Sequence, residues 1–267
     1  MRRYARLYKA FLKYTLMEQM SFRGNFLIHV LVELLWFGLL LLFYDIVFAH
    51  TRVIAGWSHA EYLVLLGTFY VVTGLVEAFV MPNCAELSEL VRTGKLDFAL
   101  TKPVDEQFIL TVRKIDWPTL SNVAYGLAAV AFGLRALGWV PDVRDVLLYL
   151  TLIASGFVFF YSVMITLAVT AVHLVRNQSV YEQWFYVIMF ARYPPDIFSG
   201  EWGSILRKCL TYLFPVLVVV SVPAKLLARA ALDVRGAAIA LFAAVVGFAA
   251  SRWIFRRTLR SYRGASA

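Results

Sequence analysis

Residues 26–49 read Phe26-Leu-Ile-His-Val-Leu-Val-Glu-Leu-Leu-Trp-Phe-Gly-Leu-Leu-Leu-Leu-Phe-Tyr-Asp-Ile-Val-Phe-Ala49. Only His29, Glu33 and Asp45 interrupt the apolar run. A helix needs about 20 such residues to cross the ~30 Å hydrocarbon core of a bilayer, and this run supplies them. Lipid offers the backbone no hydrogen-bond partner, so a run of this kind is stable there as a helix, which satisfies its own backbone. Working outward, comparable runs occupy residues 61–81, 117–137, 146–174 and 236–255, with a shorter aromatic-rich stretch at 180–193. Composition agrees: of 267 residues, 61% are hydrophobic and 16% charged, and the mean hydropathy is +0.71. Soluble domains carry roughly 25% charged residues. The expectation is an all-α membrane protein forming a single domain over residues 1–267, without internal repeats.

The net charge of +9 is dispersed between the apolar runs. That pattern fits cytoplasmic flanking charge on a membrane protein and argues against a nucleic-acid partner. Residues 1–24 hold no uninterrupted apolar core, so no cleavable leader is read and the first span is expected to act as its own insertion signal. Within them Tyr4, Leu7, Tyr8, Phe11 and Thr15 recur at three- and four-residue steps, with Arg3, Arg6, Lys9 and Lys13 largely on other faces. This predicts an interfacial helix on the inner leaflet, separated from the first span by Ser21-Phe-Arg-Gly-Asn25.

Residues 205–230 decide the topology. Counted as a full crossing they give seven spans; counted as a hairpin dipping into the outer leaflet they leave six, with both termini cytoplasmic. The six-span reading places six Lys and Arg of residues 1–24, five of 83–116, Arg176 and five of 252–263 inside, leaving nine of the 26 outside or near that interface. Seven spans would put Arg252, Arg256, Arg257, Arg260 and Arg263 outside, against the positive-inside tendency. Pro215 and Pro223 each remove a backbone donor, which favours a broken hairpin over a straight crossing. In the six-span topology Cys84 and Cys209 lie on opposite sides, which excludes a disulfide between them.

The interior has one patterned, soluble-looking segment, residues 83–103, containing Glu86-Leu-Ser-Glu-Leu-Val-Arg-Thr-Gly-Lys-Leu-Asp-Phe-Ala-Leu-Thr-Lys-Pro103. Asn83 can cap a helix whose Leu87, Leu90 and Val91 share a face. Gly94 is placed to end it in the left-handed region, Lys95 restarts a second short piece, and Pro103 stops that one. Two readings stay open: a rigid lever ~15 Å long that seats in a groove on a soluble partner, or a solvated helix lying on the membrane surface.

The string Arg92-Thr-Gly-Lys-Leu-Asp-Phe-Ala-Leu-Thr-Lys-Pro103 resembles the signature of the ABC-2 type permeases, and more narrowly a six-span subfamily of this length whose loop reads Arg-x-Gly-x-Leu-Asp-x-x-Leu-x-x-Pro. Tyr193-Pro-Pro-Asp-Ile-Phe198, Phe214-Pro215 and Val222-Pro-Ala224 are similar to the same subfamily's region before the last span. The resemblance implies a permease of a bacterial cytoplasmic membrane, working with two copies of an ABC ATPase and a second permease, identical or homologous. It implies a coupling element at about Ala85–Leu100, with Leu87, Leu90, Val91, Arg92, Gly94, Leu96 and Asp97 at the ATPase contact. It also implies a re-entrant outer gate within Ile205–Ala230, marked by Pro215 and Pro223, and transport by alternating access, in the export direction.

No Gly-x-x-x-x-Gly-Lys-Ser/Thr occurs; Gly94-Lys95 is followed by Leu96, so ATP and its Mg2+ are expected on the partner chain. No His-Glu-x-x-His, Gly-x-Ser-x-Gly or Cys/His metal spacing is found, so no catalytic residue, metal or cofactor is assigned to this chain. The ionisable residues within spans are the other candidates, because charge at membrane depth faces protein or water. His29 and Glu33 are one turn apart, Glu33 about 10 Å and Glu77 about 6 Å from the inner ends of their runs. They read either as polar lining of an inner cavity or as structural pairs between spans. Asp45 and His173 lie nearer span ends and read as interfacial. The aromatics Phe157, Phe159, Phe160 and Tyr161, with Tyr181, Trp184, Phe185 and Tyr186, read as a pathway lining or as interface anchors. Two other classes compete. An energy-coupling scaffold of an importer would carry two long coupling helices with Ala-Arg-Gly-like motifs, absent here. An intramembrane enzyme would need titratable groups converging from several spans.

Overall fold

The computed structural model describes residues 2–174 and 180–261, all helix and connecting turns apart from one isolated bridge between Ile54 and Trp57. Along the chain run α1 (Arg2–Met20), α2 (Arg23–His50), α3 (His59–Phe79), α4 (Met81–Arg92), α5 (Leu96–Leu100) and α6 (Glu106–Thr111). Then come α7 (Ser121–Leu137), α8 (Val143–Leu174), α9 (Val180–Ile188), α10 (Gly200–Lys208), α11 (Val216–Arg229) and α12 (Val234–Ser261). The start of α3 is set by a capping box: the Ser58 side chain accepts from the Glu61 amide, and the Ser58 amide donates to Glu61 Oε2 at 2.7 Å. The end of α7 is set by Gly138, left-handed at φ 75°, whose amide closes on the carbonyls of Leu134 and Arg135.

Glycines make the central helix pair. A Cβ on Gly67 would stand 2.5 Å from the Gly126 carbonyl oxygen, and one on Gly126 would stand 2.6 Å from that of Gly67. Gly74 meets Asn122 and Gly133 meets Val64 along the same seam. Backbone-to-backbone approach of this kind replaces the hydrophobic driving force that lipid does not provide between spans. The α8–α12 pair is built similarly, from Ala240, Ala244, Gly247 and Ser251 on one face of α12. Inside both pairs stands α11, packed on α3, α8 and α12 and buried without a break from Val216 through Ala224. A helix apolar all round belongs in such a position. In contrast, α2 exposes Leu27, Leu31, Leu35, Leu39 and Leu42 and buries only Phe37 and Tyr44.

Among the described residues four helices are long and apolar enough to cross a membrane, α2, α3 with its continuation, α8 and α12, and the bent pair α10–α11 makes five if taken as one span. Of the other expected spans, 117–137 is helical over α7, about 25 Å at 1.5 Å per residue, and 180–193 only over the nine residues of α9, about 13 Å. As a straight helix α9 is too short to cross. The chain nevertheless travels the length of α3 here. Trp184 bonds Glu77 near one end of α3, Arg192 lies 5.5 Å over the Phe69 ring, and Asp196 pairs with Lys225, one turn before the Arg229 that bonds Glu61 at the other end.

The expected hairpin within 205–230 is one sharp break. α10 runs on through a π-turn, Cys209–Leu213, and meets α11 at 85° across Phe214-Pro215. Pro223 does not break the chain as expected; it sits inside α11, where buried neighbours hold the helix. The N-terminal segment is a separate helix, but the break falls at Ser21–Phe22 and Gly24 lies in the first turn of α2. Cys84 is buried, Cys209 exposed, and neither is in a disulfide.

Candidate functional site

The patterned segment grows directly out of α3. Val80 alone separates α3 from α4, and the hydrogen-bond ladder passes through it: the Val80 amide donates to Val76, and the Cys84 amide to Val80 at 3.0 Å. Asn83 is therefore not the expected cap. Its side chain donates to the carbonyls of Phe79 and Lys114 at 2.8 and 2.7 Å and accepts from the Lys114 amide, fixing α4 to the 112–116 turn. Glu86 takes Arg113 and Lys114 on the same turn.

Leu87, Leu90 and, in α5, Leu96 are buried in the chain's own core. The apolar face that reads as a docking surface is thus an anchor, packed against α8 and α9. The side chains of Val91 and Arg92 lie outside the described residues, although α4 includes both. Gly94 is left-handed at φ 68°, as its place after α4 predicts. Beyond it α5 presents a tip where Phe98 is 75% exposed, between exposed Lys95 and Lys102, with Asp97 half-buried.

Two residues past Pro103, Asp105 caps α6, accepting from the Phe108 amide at 3.0 Å. The same carboxylate receives both guanidinium nitrogens of Arg252 in α12. Arg252 also donates to Gln107 Oε1 at 3.1 Å, and Gln107 donates to the Tyr161 hydroxyl of α8 at 3.1 Å. The Arg252 guanidinium holds the Asp105 carboxyl below the usual carboxylate range. On the other side α1 clamps the following turn: Gln19 donates to the Ile115 carbonyl and accepts from the Trp117 amide, both at 3.0 Å, while Thr15 accepts from the Trp117 indole. On the face of α1 formed by Tyr4, Leu7, Tyr8, Phe11 and Thr15, Thr15 is buried and Phe11 packs against the core, while Tyr4 is exposed.

Sequence reasoning missed Gln19, Asp105, Gln107 and Arg252. Asp105 had a local signal, an Asx cap three residues before Phe108. Arg252 had none, because its partner is 147 residues away.

Of the intramembrane candidates, Glu33 accepts from Asn122 of α7 at 2.9 Å and Glu77 from the Trp184 indole of α9 at 2.8 Å, so each carboxylate ties a different pair of helices. His29 is exposed and lines a cavity of about 350 Å³ with Glu18, Lys114 and Asp116. Asp45 pairs with His59 at 2.8 Å. The aromatics divide by place. Phe159, Phe160 and Trp184 are core, and Phe185 and Tyr186 are exposed. Phe157 and Tyr161 line a largely apolar cavity of about 560 Å³ with Tyr8, Phe79 and Phe108. The side chains of His173 and Tyr181 lie outside the described residues. Among the described residues no three His, Cys, Asp or Glu side chains gather as a metal-holding group.

The arrangement is a helix continuous with α3, tied through the following turns to α12, and leading to an exposed Phe98 on α5. The sequence profile of a family described as ABC-2 family transporter protein matches residues 34–266. The chain belongs to the ABC-2 transporter family. No curated protein matches it. No solved structure matches it. As an ABC-2 family protein with several membrane-capable helices it is a multi-pass membrane permease, of a kind that works with ABC ATPase partners.

Proposed function

We propose that this chain is the transmembrane subunit of an ATP-driven exporter, taking its energy from a separate ATPase through residues 83–103. One observation carries the reading: α3 continues into α4, α5 carries an exposed Phe98, and Asp105, five residues past the end of α5, is held by Arg252 of α12. Movement imposed on the tip is passed to α4 through the buried Leu96 and the Gly94 turn, on into α3 through the continuous α3–α4 backbone, and to α12 through an ion pair, so two spans respond to one input. Two ATPase subunits holding ATP and Mg2+, and a second permease copy or homologue, complete the assembly in a bacterial cytoplasmic membrane. The segment from Trp184 to Asp196 supports a fifth crossing made of broken helix, which gives six crossings with α10–α11 re-entrant and both termini inside.

Leu90 is unsuitable for testing this, because a charge there would disturb the core. Phe98→Asp is suitable. In a reconstituted complex it is expected to reduce coupled ATPase turnover about tenfold or more, as loss of a central contact does, while yield and thermal unfolding of the isolated subunit stay unchanged. Unaltered turnover in Phe98→Asp, with the ATPase still bound, would remove the coupling role from this tip.

A further inference from the structure

Nine Lys and Arg fall on the outer side or near its interface in the six-crossing topology, where the positive-inside tendency leaves cations without a topological role. Four of them, Arg207, Lys208, Lys225 and Arg235, line one cavity of about 310 Å³ at the foot of the α10–α11 arm. They come from three elements: the α10 end, α11 and the start of α12. Two carboxylates are present, Asp196 and Asp233, and Asp233 is engaged in capping α12 through the Gly236 amide at 2.9 Å. Asp196 stands between Arg207 and Lys225, 3.5 and 3.6 Å from their nitrogens. Closed charge-assisted bonds run at about 2.7–2.9 Å, so both pairs are loose. Lys208 has no carboxylate partner among the described residues, and Arg235 lies over the Tyr212 ring at 5.5 Å. Thr211 and buried Ser221 also line the cavity, and neither hydroxyl bonds another described residue.

We propose that this cavity binds one phosphate-class anionic group on the outer face of the transporter. The excess of cations, the unengaged hydroxyls and a volume at the small end of ligand pockets fit a headgroup or a phosphorylated terminus, not a whole lipid or polymer. Asp196 is the internal competitor: it occupies the Arg207–Lys225 gap loosely and is displaced when a better anion arrives. The chemistry of the site stands on the convergence of these side chains. Only its placement on the outer face rests on the six-crossing topology.

The test is native mass spectrometry of the purified full chain in detergent, titrated with dihexanoyl phosphatidylglycerol, dihexanoyl phosphatidylcholine or inorganic phosphate. One equivalent of the phosphatidylglycerol is expected, with about tenfold preference over the phosphatidylcholine, the scale of one charge-assisted contact. Lys225→Gln and Arg235→Gln should each weaken it about tenfold, while Arg144→Gln, away from the cavity, leaves it unchanged. Asp196→Asn should tighten it several-fold, a gain that a folding defect does not produce. If inorganic phosphate displaces the lipid, the site takes a soluble phosphate group; if phosphatidylglycerol binds and phosphate does not displace it, the source is a lipid headgroup. Equal binding of the two lipids, or no tightening in Asp196→Asn, overturns the proposal. Exposed Cys209, on the same arm, reports the side: labelling by an impermeant maleimide only from the cytoplasm would overturn the topology and leave the anion site standing.

Discussion

Arg252 and Asp105 illustrate how much one residue pair organises. The carboxylate caps α6, bonds the guanidinium and has its own amide held by the Tyr4 hydroxyl at 3.3 Å. Because the pairing depresses the Asp105 pKa, its stabilisation is fully present above the unfolded carboxylate range and is lost only as pH falls through the lowered folded value. The pair is therefore expected to act equally at pH 7 and pH 5. Asp105→Asn should lower stability by roughly 1–2 kcal/mol at both pH values, a figure reduced for the partial exposure of both groups. Thermal unfolding of the detergent-solubilised protein at the two pH values measures this, and a loss seen only at pH 7 would contradict it. Asp105 carried a local signal, an Asx cap two residues past Pro103; its partner was illegible, since nothing local to Arg252 distinguishes it from the other arginines at the end of α12.

At the scale of elements, the α3–α7 seam depends on absent side chains. Gly126→Leu would drive carbon into the backbone of α3 at Gly67 and Val71. Overpacking of this kind costs about 1–3 kcal/mol and can cost more where backbone is the obstacle. The variant is expected to lose folded yield and thermal stability in detergent, whereas Gly38→Ala, with nothing within 4 Å, should be neutral or better. Equal behaviour of the two variants would show that the seam is not tight. The extent of legibility also differs by element. Gly94 and Pro215 were readable because a left-handed turn and a missing donor are local properties. The inward turn of Leu87, Leu90 and Leu96 was not, because an apolar helix face has the same periodicity whether it meets a partner or the chain's own core. The stretch 180–193 already reads as short, but the end of α9 at Ile188 was hidden: hydropathy continues past it, while the helix stops at the turn leading to Pro194.

For the whole molecule, the all-helical class and most of the spans followed from composition and run length, since lipid imposes helix on any long apolar segment. The arrangement of those helices did not, because it is decided by small residues and by pairs distant in sequence. The crossing number is checked by labelling. On a Cys209→Ala background, Arg260→Cys should react with an impermeant maleimide only when the cytoplasmic face is opened, and reaction in intact cells would sink the six-crossing arrangement.

The buried helix α11 has a consequence for how the protein is made. A segment with neighbours on every side and an 85° bend at its start gains nothing from entering lipid alone. The helices that wall it on two sides, α3 and α8, both precede it in the chain, and α12 follows at once to close the third. Translation thus delivers two of its walls before the piece they receive, and the ribosome's order of synthesis becomes part of what lets this bent, buried helix settle among its neighbours.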